Sequence, residues 1–261
     1  MKIVTWNVNS IRQRLPRLLA MLTRFEPEVV CLQETKVEDP MFPTMEIAAA
    51  GYECVLLGQR AYNGVAILSK VDLADQQMGF EGDPVPEQSR VLSATAGGLR
   101  MVCVYVVNGK VVGDPAYETK LAWLDALRAW LEATCDPGEP LLLCGDFNVA
   151  PDDRDVWDAD LWRGKNLASE PERERVRSLE AWGLTDLGRV AAGDVQGPFT
   201  YWDYTAGAFQ KGWGLRIDLA LASAPVASRM VSVEVDRNER RPKAGEGKPS
   251  DHAPVVITLE D

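Results

Sequence analysis

The sequence predicts a mixed α/β or α+β architecture, with packed sheets and helices outside them. Three observations carry that reading. Ten apolar runs of strand length recur along the 261 residues, and three segments repeat apolar residues at helical spacing. Strands therefore outnumber helices, and some connections are too short to hold a crossover helix.

In chain order, residues 3–6 form the first strand and lead at once into polar Asn7 and Asn9. Leu15, Leu18, Leu19, Leu22 and Phe25 follow helical spacing, with Pro16 expected in the first turn, where its missing N–H is harmless. Strands follow at residues 29–32, 53–57, 64–68, 91–95 and 101–107. Leu121, Leu124, Leu127 and Leu131 mark a helix over about 117–134, and residues 141–144 another strand. Val176, Leu179 and Trp182 mark a third helix, closed by Gly183. Runs at 217–222, 230–235 and 255–259 complete the strands. Many runs lack clean alternation, which predicts sheets covered on both faces. The charged stretch 236–249 lies between two strands and reads as a loop. With no linker, repeat or low-complexity tract, one domain is expected over residues 1–261.

Composition narrows the function. Apolar residues make up 46% and charged residues 26%, which fits a folded globule and not a disordered chain. No run approaches the roughly 20 apolar residues of a membrane helix, and residues 1–9 have no signal-peptide layout. Cys31, Cys54, Cys103, Cys135 and Cys144 are odd in number and widely spaced, as expected for reduced thiols in a cytoplasmic protein. The formal charge of −11 argues at first against nucleic acid and anionic membranes. No dinucleotide fingerprint, Walker loop or nucleophile elbow is present.

Five short segments place acid, amide or imidazole groups at strand ends: Asn7 and Asn9, Gln33-Glu34-Thr35, Gly145-Asp146-Phe147-Asn148, Arg216-Ile217-Asp218, and Ser250-Asp251-His252. Strand ends are where α/β sheets gather their sites. Taken singly, the asparagines read as turn formers and Glu34 as a solvated carboxylate. Asp218 lies in an apolar run and needs a partner, with Arg216 or backbone as the plain alternative. His252 is the only histidine in the chain. Carboxylates with amide oxygens suit Mg²⁺ or Mn²⁺, and zinc is disfavoured without a second histidine or paired cysteines. A hard metal, a water-activating acid and one imidazole fit metal-assisted phosphodiester hydrolysis.

In this order, with Tyr105 between the second and third segments, these residues resemble the exonuclease III type of AP endonuclease, the DNA-repair branch of the endonuclease–exonuclease–phosphatase superfamily. Segments 32–36, 63–68, 182–186, 214–218 and 248–254 extend the resemblance over essentially the whole chain. It implies a four-layered α/β sandwich of two packed mixed sheets flanked by helices. It also implies Mg²⁺-dependent cleavage 5′ to abasic sites in duplex DNA, with 3′→5′ exonuclease and 3′-end phosphodiesterase or phosphatase activity in many members, acting as a monomer. By position, Glu34 resembles the main metal ligand, helped by Asn7, Asn9 and Asp251, with Asp146, Asn148 and His252 also in the metal set. Asp146 resembles the residue that orients or deprotonates water, and Asn148 the one that places it. His252 paired with Asp218 would contact the phosphate, and Tyr105 the phosphate or leaving group. Lys36, Asn63, Lys110 and Arg216 resemble DNA contacts. Tyr201, Leu215 and Ile217, with Trp202 nearby, resemble the lining of a pocket for the flipped-out abasic sugar. Trp213 and Phe209 read as exposed wedges against the bases. Two departures stand out: Val107 replaces a proline, which should loosen its loop, and Asn9 replaces an aspartate of one branch. Two other readings share these residues: a phosphoesterase acting on inositol phosphate, lipid or RNA, and a non-catalytic DNA-binding relative.

The charge is unevenly spread. Acids crowd 72–87 and 152–160, which are expected to lie away from DNA. Residues 1–36 hold six Lys or Arg against three acids. The net charge then predicts weak, salt-sensitive, non-processive duplex binding.

Overall fold

The structure, a computed structural model, describes residues 1–260. Twelve strands form two six-stranded sheets. In chain order they are β1 (Lys2–Asn7), β2 (Val29–Gln33), β3 (Glu53–Leu57), β4 (Val65–Ser69), β5 (Leu73–Met78), β6 (Val91–Ala96), β7 (Leu99–Tyr105), β8 (Leu141–Asp146), β9 (Leu184–Asp186), β10 (Asp218–Ser223), β11 (Met230–Val235) and β12 (Val255–Leu259). The first sheet runs β11-β12-β1-β2-β4-β3 and the second β5-β6-β7-β8-β10-β9. Only β1–β2 and β7–β8 are parallel pairs, so both sheets are mixed.

The helices are α1 (Ile11–Phe25), α2 (Thr44–Ala49), α3 (Pro115–Thr134), α4 (Ala159–Trp162), α5 (Glu170–Trp182), α6 (Leu187–Ala192), α7 (Ala208–Lys211) and α8 (Ala224–Ala227). Three apolar layers hold the sandwich together. Ile3, Cys31, Ile67, Met101, Cys144 and Ile257 fill the space between the sheets. Leu18, Met21 and Leu22 of α1 pack on Val4, Val30 and Leu68 of the first sheet. Trp123, Leu127 and Leu131 of α3 and Leu179 of α5 cover Val102, Leu143 and Leu221 of the second. This is the four-layered sandwich expected above, and burial on both faces explains the missing alternation.

The differences from the sequence reading are local. Strand β5 is exposed at a sheet edge and β9 is only three residues long, so neither carries an apolar run. Helix α1 begins at Ile11, which places Pro16 in its second turn and not its first. Helix α3 begins two residues early, with Asp114 accepting from the Ala116 amide and Pro115 in the first turn. The stretch 236–249 is a loop, as expected, and buried Arg17 organises it. Arg17 donates to the carbonyls of Glu239, Arg241, Pro242, Gly245 and Gly247 and pairs with the Glu239 carboxylate. Among the described residues, no helix is long and apolar enough to cross a membrane.

Candidate active site

Sheet geometry brings the five segments to one end of the sandwich. Parallel pairing puts the end of β1 beside the end of β2, with Asn7 opposite Gln33. In the second sheet Tyr105 ends β7 opposite Asp146, which ends β8. Strand β10 is antiparallel to β8, so its first residue, Asp218, also lies opposite Asp146. His252 precedes β12, which is antiparallel to β1. Gly145 is required where the second sheet turns into the site. Its φ is +144°, and a Cβ there would lie 2.0 Å from the Val104 carbonyl oxygen.

Ligating atoms of Glu34, Asp146 and His252 lie within 4.8 Å of one another. The imidazole spans two carboxylates. Its Nδ1 lies 2.8 Å from Asp218 Oδ2, and its Nε2 lies 3.7 Å from Asp146 Oδ2. Thr200 Oγ1 fixes Asp218 from behind by accepting the Ile217 and Asp218 amides at 3.1 Å each. Asn7 Nδ2 donates to Glu34 at 2.8 Å and to Asp146 at 2.9 Å, tying the two acids together. The Asn148 amide donates to Asp146 Oδ1 at 2.9 Å.

Burial and charge set the protonation states. Burial, with the nearby Asp218 and Glu34 carboxylates, pushes Asp146 up to about 7 against the pull of His252. Burial alone would lower His252, but the Asp218 and Asp146 carboxylates outweigh it and raise it to about 10. Tyr105 is pushed well upward by burial and by Glu34 and Asp146. Burial works against ionisation of Glu34 as well, but Lys36 and Asn7 prevail and its pKa is lowered.

These groups fit a divalent cation. Glu34 and Asp146 face one space with Asp218 behind His252, and burial, helped by those two neighbouring carboxylates, raises Asp146. A cationic side chain already rests there: Lys36 Nζ lies 2.6 Å from Glu34 Oε2 and 2.6 Å from Asn9 Oδ1. Glu34 and Asp146 are the carboxylates placed to hold the ion. Several other expected ligands are turned elsewhere. Asn7 Oδ1 accepts the Asn9 amide. Asn9 bridges Lys36 and Asp251. Asn148 Oδ1 accepts from Asn108, and Nδ1 of His252 is taken up by Asp218.

The expected DNA and pocket residues divide. Tyr201 is half-buried, with its ring 4.9 Å from that of His252. Leu215 and Ile217 are buried with Val156 and Ala168, in a cluster that half-buried Tyr201 and Trp157 cover. Asn63 is buried: its side chain donates to Gln59 at 2.8 Å and its carbonyl accepts the Lys36 amide. Lys110 is exposed, 3.8 Å from Asp114. Three readings are corrected. Arg216 is buried between Asp155 and Asp186 and cannot reach DNA. Trp202 is buried, edge-on to Phe209, and is a core aromatic. Trp213 and Phe209 are not free wedges: both are half-buried, and Trp213 stacks on Trp157 at 4.9 Å.

Not all of the charged side chains lie at the surface. Segment 152–160 packs against the pocket cluster through Val156 and Trp157, and its Asp155 is the buried partner of Arg216. Arg14 and Arg17 are buried and bonded internally, so they add nothing to a cationic surface. Sequence reasoning also missed Arg90. Its guanidinium lies 4.7 Å over the Tyr105 ring and donates to the Tyr105 carbonyl at 3.0 Å. The only signal was a charge entering the apolar run at 91–95.

Acids, amides and one imidazole gathered at the strand ends are the groups that a metal-assisted phosphodiester hydrolase uses. The chain is a member of the Endonuclease/Exonuclease/phosphatase family, matched over residues 4–252. It is 32% identical to exodeoxyribonuclease III of Haemophilus influenzae, over 98% of each chain. It also resembles the 3′-5′ exonuclease NExo from Neisseria meningitidis, with a TM-score of 0.94 and 38% identity over the full length of both. An AP endonuclease from Archaeoglobus fulgidus superposes equally well, with a TM-score of 0.94 and 33% identity over the full length of both.

Proposed function

We propose that this protein is a divalent-metal-dependent phosphodiesterase of DNA repair. It cuts duplex DNA on the 5′ side of abasic sites and works at 3′ ends as a 3′→5′ exonuclease and phosphatase. One observation carries the reading: the His252 imidazole spans Asp218 and Asp146 with Glu34 alongside. Likeness over the full chain to an exodeoxyribonuclease III, a 3′-5′ exonuclease and an AP endonuclease supports DNA as the substrate. The hard donors favour Mg²⁺ or Mn²⁺. The protein acts as a monomer in the cytoplasm on damaged duplex DNA.

Glu34 and Asp146 would hold a divalent cation, which would supply charge neutralisation at the phosphate and lower the cost of deprotonating water. Asp146 takes the proton of the attacking water, its carboxylate held in place by the Asn148 amide and Asn7. Asp218 keeps the proton on Nδ1 of His252, so Nε2–H is the donor that faces charge developing on the phosphate. Tyr105 stays protonated and donates to the phosphate or leaving oxygen. Lys36, which pairs with Glu34 at 2.6 Å, and the neighbouring Asn63 would contact the DNA backbone. Tyr201 presents the pocket wall to the sugar, with Leu215 and Ile217 packed in the same cluster.

The test offers the protein a duplex with an abasic analogue, beside an undamaged duplex with a free 3′ end. Incision 5′ to the lesion is expected with Mg²⁺ or Mn²⁺. EDTA should abolish cleavage of both duplexes, and either ion should restore it. Cleavage of lipid headgroups or RNA, with the abasic duplex left intact, would move the assignment elsewhere in the superfamily.

A pH profile gives a second test. Cleavage needs Asp146 ionised and His252 protonated, so the rate should fall on both sides of a plateau. The alkaline limb should lie at or below the His252 value of about 10, because a bound cation disfavours the charged imidazole. The acid limb should lie at or below the Asp146 value of about 7, because the same cation favours the carboxylate. An alkaline limb that Asp218→Asn leaves unmoved would contradict the Asp218 pairing.

A further inference from the structure

Lys120 in α3 is fully buried, and its ammonium lies where three loops meet. It donates to the main-chain oxygen of Asn148 at 2.6 Å, to that of Asn108 at 3.2 Å and to Asn166 Oδ1 at 3.3 Å. It also pairs with Glu172 of α5, which is equally buried. Glu172 in turn accepts the amides of Leu167 and Ser169 at 3.0 Å each. Asn166 Nδ2 donates to the carbonyls of Asn108 at 2.9 Å and Lys110 at 3.1 Å. One polar hub thus joins the loop after β7, the turn after β8 and the turn before α5.

The hub bears directly on the site. Asn148 and Lys110 both have left-handed backbones, with φ of +50° and +58°. Such conformations persist in side-chain-bearing residues when the surroundings over-determine them. Asn148 is held at every polar group. Its amide donates to Asp146, its side chain accepts from Asn108 at 3.0 Å and donates to the Val106 carbonyl at 2.9 Å, and its carbonyl accepts from Lys120. The same bonds fix the loop that Val107 was expected to loosen.

Stability alone does not account for a buried ammonium here. Burying an ion pair costs solvation, and apolar residues of similar volume often serve stability as well or better. What a methionine in place of Lys120 could not do is hold two carbonyls and a side-chain amide at fixed positions. We propose that Lys120, with Glu172 as its fixed counter-ion, is a positioning residue that orients the Asn148 peptide and, through its amide, the Asp146 carboxylate. The inference rests on the functional reading above, which makes Asp146 the proton acceptor.

The test compares wild type with the double variant Lys120→Met/Glu172→Gln and with Lys120→Arg, on an abasic duplex with Mg²⁺. The double variant removes both charges while its glutamine can still cap α5. Its kcat should fall roughly 10- to 100-fold through misplacement of the acid, with KM within about threefold of wild type. Lys120→Arg, which keeps the donors, should recover part of that loss. Hydrogen exchange without DNA should quicken at the amides of residues 106–110 and 147–150 and stay unchanged in β1, β2 and β10. A kcat near wild type in the double variant overturns the proposal. So does exchange that quickens throughout the fold, which would make the pair a purely structural support. If wild type itself leaves the abasic duplex intact, the functional reading fails. The exchange data then decide alone, with unchanged protection at 147–150 overturning the positioning role.

Discussion

Asp146→Asn should cut turnover on an abasic duplex by roughly 10³-fold or more while making the metal-free protein more stable at pH 8. The first effect follows from removing the proton acceptor, a role typically worth about 10²–10⁴-fold, together with a carboxylate that faces the cation. The second follows from burial. Asp146 has its pKa raised from 3.8 to about 7, so the folded state holds that proton more tightly than the unfolded chain does. Its contribution to stability is therefore complete below pH 3.8 and lost as pH rises through about 7. At pH 8 the ionised group is therefore a net cost to the metal-free fold. A neutral asparagine removes that cost, and Tm at pH 8 should rise above that of wild type. His252→Asn should lower turnover to a similar degree. Steady-state cleavage and thermal melts at pH 6 and pH 8 check both variants. Turnover near wild type in both would end the assignment of this site.

Arg216→Met should destabilise the fold by about 3–5 kcal/mol, the usual cost of breaking a buried ion pair from one side. The guanidinium holds Asp155 through Nε and Nη2 at 2.6 and 3.0 Å, and Asp186 through Nη1 and Nη2 at 2.9 and 2.7 Å. Removing it strands two buried carboxylates, although Arg189 keeps a contact with Asp155. A fall in Tm of roughly 10 °C is expected. Arg216→Lys should rescue little, because one ammonium cannot match four oxygens arranged for a planar fork. A melt within 2 °C of wild type, as an order-of-magnitude threshold, would show that the network bears no such strain.

These two variants also mark how far the sequence could be read. Asp146, Asp218 and His252 were legible because each lies beside an apolar strand run, where a polar group needs a reason. Their convergence needed only parallel and antiparallel neighbours whose ends coincide. Arg216 stands just before the run at 217–222 and reads from sequence as facing DNA, because its partners come from segments 30 or more residues away. Asp155 lies in an acidic stretch that reads as solvated, and Asp186 ends a strand too short to show periodicity. The amides are harder to read for a related reason: composition names Asn7, Asn9 and Asn148 but not which way each side chain faces. Lys120 was invisible because helical spacing marks only the apolar face of α3, and a lysine beside that face reads as surface.

Strands β1 and β12 are hydrogen-bonded neighbours, with Thr5 opposite Val255, and Trp6 Nε1 donates to the His252 carbonyl. That pairing joins an early segment of the chain to a late one at the site itself. A chain emerging from the ribosome exposes Asn7, Glu34 and Asp146 well before His252 is made. Until then the first sheet lacks its β11–β12 edge and Asp218 has no imidazole to hold. The ability to cut DNA should thus arise only after His252 and β12 have been made, so that products truncated before them are inert and not stray nucleases.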